Sequence, residues 1–190
     1  IIPLELPAGT AAPPFQGWLG LAESLDPATV LPHGVIERYR QIPFRLPGAG
    51  SHGLLLRGPD AADRLPERAA IPVARTVSHL FFLQGCGLVF EPKPAGKVLF
   101  HYTVNYADGT QVRLPQRFGY EVEACHSEAA PANARVAFAK ELPGGIPLRM
   151  YIFSWANPRP AVRVASIDVV SEKQVATPLV LAVSGLPCKF

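Results

Sequence analysis

The chain has 190 residues, of which 21 are proline and 17% are charged; 18 basic against 15 acidic side chains give a formal net charge of +3. Interior proline costs a helix about 3 kcal/mol, so this composition excludes a helical bundle, and 48% apolar residues exclude a disordered chain. The charge is mild and no Lys/Arg run occurs, which excludes a nucleic-acid footprint; no stretch approaches the roughly 20 apolar residues of a membrane helix, so no membrane insertion is expected either.

A chain of this length buries about 70% of its unfolded surface, enough for one core, and residues 1–190 read as a single domain. Residues 1–72 form a loop-rich wrapping segment. Pro3, Pro7, Pro13, Pro14, Pro27, Pro32, Pro43 and Pro47 interrupt each apolar run there. They leave short extended pieces at 1–6 and 41–46 and one helical turn near 19–25. Residues 58–72, with Pro59, Pro66 and Pro72, read as a long loop.

The main strands occupy residues 73–185, where the apolar period becomes two. Residues 76–83 are strongly apolar and are expected to end at Gly85 and Gly87. In residues 98–106, Val98, Phe100, Tyr102, Val104 and Tyr106 take one face, and Leu99, His101, Thr103 and Asn105 the other. Asp108-Gly109 follows, a hairpin signal in which both central residues are expected at positive φ. Residues 111–114 return, interrupted by Pro115. Further strands are expected at 135–140, 148–155, 162–171 and 179–183. Residues 148–155 are apolar on both phases, which predicts a central strand or one covered by the N-terminal segment. With no long helix between them, these strands predict an all-β fold: an antiparallel β-sandwich of jelly-roll type with a long irregular N-terminal segment.

Cys86, Cys125 and Cys188 are odd in number, form no CxxC pair and lack the ligand spacing of a zinc site. A Cys86–Cys125 disulfide stays open for an exported chain. A chain that begins at Ile1 is expected to be a processed or excised piece.

Ile71-Pro72-Val73 is followed by Ser78-His79-Leu80-Phe81-Phe82-Leu83-Gln84-Gly85-Cys86 and by Tyr102-Thr103-Val104-Asn105-Tyr106-Ala107-Asp108-Gly109-Thr110. Phe153-Ser154-Trp155-Ala156-Asn157-Pro158-Arg159-Pro160 and Ala165-Ser166-Ile167-Asp168-Val169-Val170-Ser171 complete the set. In this order they resemble galactose-binding-like jelly-roll domains, carbohydrate-binding-module-like, that often sit beside glycoside hydrolases in exported bacterial proteins. The resemblance spans most of residues 1–185. It departs after Gly119-Tyr120, where aromatics are expected and the chain reads Glu121-Val122-Glu123-Ala124-Cys125-His126. It implies a polysaccharide or glycan partner, an attached catalytic domain or other copies of the chain, and an extracellular or cell-surface location. It implies no cofactor, and leaves structural calcium open.

No HExxH, GxSxG, P-loop or strand-borne GxGxxG occurs. Glu121 and Glu123, on a strand, would share a face roughly 6.6 Å apart, inside the roughly 6.5–9.5 Å window of inverting glycosidases. Carboxylates on one side of one strand do not flank a bond, however, and the alternation with Val122 and Ala124 reads as an ordinary solvated face. His79 and His101 read as core or edge histidines, and Ser127, His126 and Asp108 as a chance trio. Asp60, Asp63 and Glu67, interleaved with arginines, read as ion pairs. Sugar binding needs an aromatic surface with planar polar groups beside it. Trp155 and Tyr106 read as core and Asn157 as a turn residue, so the carbohydrate-binding candidates are Tyr120, Arg117, His126, Trp18, Asp108 and Arg159.

The leading expectation is a non-catalytic carbohydrate-binding or accessory domain. The alternative is a self-associating surface or filament subunit, which the low charge also fits. The third is a small glycoside hydrolase using Glu121 and Glu123.

Overall fold

A computed structural model describes residues 1–7, 33–48, 53–59, 65–87, 95–174 and 176–188. Trp18, the helical turn expected near 19–25, and Asp60 and Asp63 lie outside the described residues. The strands are β1 (Ile2–Leu4), β2 (Ile36–Tyr39), β3 (Ile42–Arg45), β4 (Leu54–Leu55), β5 (Arg68–Arg75), β6 (Val77–Gly87), β7 (Val98–Tyr106), β8 (Gln111–Arg117), β9 (Ala134–Leu142), β10 (Ile146–Ala156), β11 (Val164–Ser171) and β12 (Thr177–Pro187). Among the described residues all regular structure is β, and every strand pair is antiparallel.

Two sheets face each other as the all-β sandwich expected from the sequence. One has the order β1-β12-β6-β10-β9, with β4 also on β12; the other has the order β5-β11-β7-β8. Period-2 alternation puts Phe100, Tyr102, Val104 and Tyr106 of β7 inward, against Leu80, Phe82 and Cys86 of β6. The Phe82 and Tyr102 rings stack across the gap at 4.0 Å between centroids. Gln84, a fully buried polar side chain in this interior, is satisfied on every side. Gln84 donates to Gln116 Oε1 at 2.7 Å and to the Glu121 carbonyl at 2.9 Å, and accepts the Tyr102 hydroxyl at 2.5 Å.

A second apolar cluster lies on the outer face of the larger sheet. The β2–β3 hairpin lies over this face and buries Phe44 and Leu46 against Leu83, Ile152, Leu179 and Leu181. The Ser184 hydroxyl donates to the Pro43 carbonyl beneath it. Strands β10 and β12 are therefore apolar on both faces because they are covered on both. In β10, Met150 and Ile152 belong to the outer cluster, while Phe153 and Trp155 pack on the inner one.

Several expectations are corrected. The apolar run does not stop at Gly85: β6 continues through it to Gly87, because a bare Cα is what lets the Cys125 sulfur lie on the sheet there. Residues 68–72 are strand, not loop; Ala69, Ile71 and Val73 of β5 alternate inward, and Pro72 is tolerated because β5 is an edge. Edge position likewise lets β8 run through Pro115 to Arg117. Leu99 is buried, since the β7–β8 register shifts between Val98 and Phe100. In the β7–β8 turn Gly109 alone has positive φ, at 84°. The Gly109 N–H donates to the Tyr106 carbonyl and Tyr106 N–H to the Thr110 carbonyl, a three-residue loop closing on a glycine bulge. Cys86 and Cys125 are free thiols on opposite faces of one sheet, Cys86 in the inner cluster and Cys125 in the outer.

Candidate functional site

Of the six candidates read from the sequence Trp18 lies outside the described residues, and the other five do not form one site. Asp108 and Arg159 meet at one end of the sandwich, where they fasten the β7–β8 turn to the β10–β11 connection. Arg159 Nη2 lies 2.6 Å from Asp108 Oδ2, and its guanidinium also donates to the Thr110 hydroxyl. Arg159 Cζ sits 5.0 Å above the Tyr106 ring. Asp108 Oδ1 accepts the Thr110 hydroxyl at 2.7 Å and the Thr110 N–H at 3.1 Å. These bonds, led by the one from Arg159, hold the Asp108 carboxyl down at about 2. Tyr106, buried as expected, donates to Asn157 Oδ1 at 2.5 Å, and Asn157 Nδ2 donates to the Val77 carbonyl at 2.7 Å. All of these groups serve the joint between two turns.

Arg117 and Tyr120 sit at the other end of β8, about 20 Å away at ~3.3 Å per residue. Arg117 Cζ lies 4.8 Å over the Tyr120 ring, and Tyr120 is exposed. His126 is half-buried in the turn after Cys125. Glu121 and Glu123 do not share a strand: Glu121 lies in a turn and Glu123 between the isolated bridge residues Val122 and Ala124, and both are buried. Glu121 Oε2 accepts Arg117 Nε at 2.9 Å and Arg117 N–H at 3.0 Å; its Oε1 accepts Arg117 Nη2 at 2.7 Å and Asn133 Nδ2 at 2.8 Å. Burial opposes ionisation, but the bonds from Arg117 and Asn133 outweigh it and keep Glu121 below the usual carboxylate range. The Glu123 carboxylate accepts the Ala124 N–H at 3.0 Å. Glu67 pairs with Arg57 and Lys173, each at 3.1 Å. Among the described residues no three His, Cys, Asp or Glu side chains gather as a metal site.

A concave feature of ligand size lies elsewhere among the described residues, on the outer face of the larger sheet beside the β2–β3 hairpin. It has a volume of about 430 Å³ and is lined by Arg40, Ile42, Phe81, Asn133, Ala134, Arg135, Ile152 and Ser154, a size usual for small-ligand sites, which run to about 300–1,000 Å³. Strand register explains the assembly. Ser154 pairs with Phe81 and Ile152 with Arg135, so these four side chains share the outer face. His79, two residues before Phe81 on the same face, holds its ring within 11° of parallel to Phe81 at 6.2 Å between centroids. Both rings are half-buried, so each keeps part of its surface open to solvent.

The hairpin supplies the wall. Tyr39 pairs with Ile42, leaving the two-residue turn Arg40-Gln41 with φ of 52° and 68°. Two positive φ values make the turn that matches strand twist, but glycine and asparagine usually occupy it. Here the strained pair places Arg40 Nε 3.0 Å from the Val136 carbonyl of edge strand β9. Asn133 links this groove to the Tyr120 end, because its N–H donates to the Tyr120 carbonyl at 2.7 Å while Nδ2 holds Glu121.

None of the groove residues was among the sequence candidates. Phe81 reads as part of an apolar run and His79 as a core or edge histidine; the signal that separates them from Phe82 is their shared phase opposite Leu80, Phe82 and Gln84. Arg40 and Arg135 carry no local signal at all. No family model, curated protein or solved structure matches the chain.

Proposed function

We propose that the chain is a non-catalytic carbohydrate-binding or accessory domain, of the galactose-binding-like type its motifs resemble, that binds a glycan in the outer-face groove. The observation that carries this reading is the groove's lining: an open aromatic ring on an apolar floor, with a hydroxyl, an amide and two guanidiniums at its margins. A pyranose presents an apolar face and an equatorial rim of hydroxyls. Phe81 and Ile152 suit the face, while Ser154, Asn133, Arg40 and Arg135 suit the rim. The groove's lining contains no Asp, Glu or His, which suits equilibrium binding. Its service to a neighbouring catalytic domain would be a raised effective concentration on the polymer. The carbohydrate partner, the attached enzyme and an extracellular or cell-surface setting belong to this same proposal.

The test is retention in affinity electrophoresis across a broad panel of soluble polysaccharides. Retention on at least one polymer is expected, and it should disappear in Phe81→Ala while the circular dichroism spectrum and melting temperature show a folded chain. No retention on any polymer, or undiminished retention by a folded Phe81→Ala, overturns the reading.

A further inference from the structure

Charge across the groove narrows the ligand class, on the footing of the glycan reading above. Arg57, Arg68, Arg113, Arg117 and Arg159 each pair with a carboxylate of the chain. Arg40 and Arg135 are among the seven described arginines without an acidic partner, and they are the two that line this groove, which contains no Asp or Glu. A second, smaller groove provides a comparison within the same molecule. It carries Lys140 and Arg149 but also Glu128 and Glu141, so its charges are balanced from within.

Arg40 is also fixed in place before any ligand arrives. Its backbone sits at a φ of 52°, and its Nε is bonded to the Val136 carbonyl. Strained backbone of this sort persists where the surrounding structure holds it, and tends to gather at ligand sites. The Val136 bond uses one donor of the guanidinium and leaves the Nη groups for an external acceptor, with little ordering left to do on binding. Arg135, the residue before Val136 on β9, brings the second guanidinium to the same margin. Two adjacent, uncompensated forks of N–H donors match a carboxylate or a sulfate ester, which can accept two parallel bonds.

We propose that the groove takes an anionic glycan, a chain bearing carboxylate or sulfate-ester groups, with Arg40 and Arg135 clamping the anion and Phe81 supporting the sugar ring. Titration of the intact chain with four soluble polymers tests this: polygalacturonate, the same polymer fully methyl-esterified, a sulfated galactan and an uncharged galactan. Stronger binding to polygalacturonate than to its ester identifies carboxylate, and stronger binding to sulfated than to uncharged galactan identifies sulfate. The favoured anionic polymer should lose affinity steeply between about 0.05 and 0.5 M salt. Arg40→Ala and Arg135→Ala should each weaken it about tenfold, in line with a charged hydrogen bond. Equal or better binding to the uncharged polymers, salt-insensitive binding, or unaltered affinity in both folded arginine variants overturns the anionic assignment while leaving the glycan reading standing. No binding to any of the four polymers, or to the broader panel, overturns both.

Discussion

Gly85 shows how one missing side chain sets a local packing arrangement. A Cβ built there would run into the Cys125 sulfur, which in turn lies 3.7 Å from the Met150 sulfur. The strand backbone and the turn carrying Cys125 approach each other only because nothing stands between them. Gly85→Ala should therefore overpack the outer face and cost about 1–3 kcal/mol in chemical denaturation. Cys125→Ala alone should also destabilise, by removing buried volume. The double variant should recover much of the loss, since one methyl group moves into the space the sulfur vacates; strictly additive losses would show that the two positions do not share that space. The same residue explains a misreading. Glycine in an apolar run reads as a terminator, whereas here it marks close approach by another segment, which depends on a residue forty positions away.

At the scale of elements, the hairpin between β7 and β8 and the connection between β10 and β11 are held together by Asp108 and Arg159. The Asp108 carboxyl is held at about 2 against an ordinary value of 3.8. A depressed value of this kind means that the ionised form favours the folded joint. Its contribution is complete above about pH 4–5 and is lost as pH falls through about 2. A carboxyl-carbon titration by NMR should place the Asp108 midpoint near 2, and Arg159→Ala should move it back toward 3.8; a midpoint unmoved by that substitution would show that the pairing does not hold the charge. The strands joined here were legible from sequence because Val98–Tyr106 alternates with period two and, from Phe100 onward, buries the phase that the alternation indicates. β5 was hidden by Pro66 and Pro72, since proline breaks interior ladders but not edges, and sequence does not reveal which strand is an edge. Glu121 and Glu123 misled in the opposite sense: a turn followed by two isolated bridge residues produced a strand-like alternation of acidic and apolar residues. The groove was illegible for a further reason. Its walls come from a turn near residue 40 and a strand near residue 135, joined by a hydrogen bond across 96 positions.

For the whole molecule, the interior accounts for the cysteines without any crosslink. Burial raises the Cys86 thiol well above its usual range and pushes Cys125 up to about 12, which leaves both poor nucleophiles. Of the three cysteines, Cys188 is the half-exposed one. A thiol reagent should accordingly titrate one group rapidly in the native protein and three in denaturant, and a reductant should leave the unfolding midpoint unchanged. Two or more fast-reacting thiols in the native state would contradict the packing of the two clusters. The prolines that first distinguished the composition bear on what happens outside the fold. Pro72 lies in β5 and Pro115 in β8, the two margins of the smaller sheet, and Pro3 lies in β1 of the larger. On β9 it is Arg40 that occupies the Val136 carbonyl. Each of these margins lacks a donor or has an acceptor already taken, so an incoming strand meets an incomplete ladder. Crowded copies of the chain then find little purchase for zipping sideways, edge to edge, into aggregates.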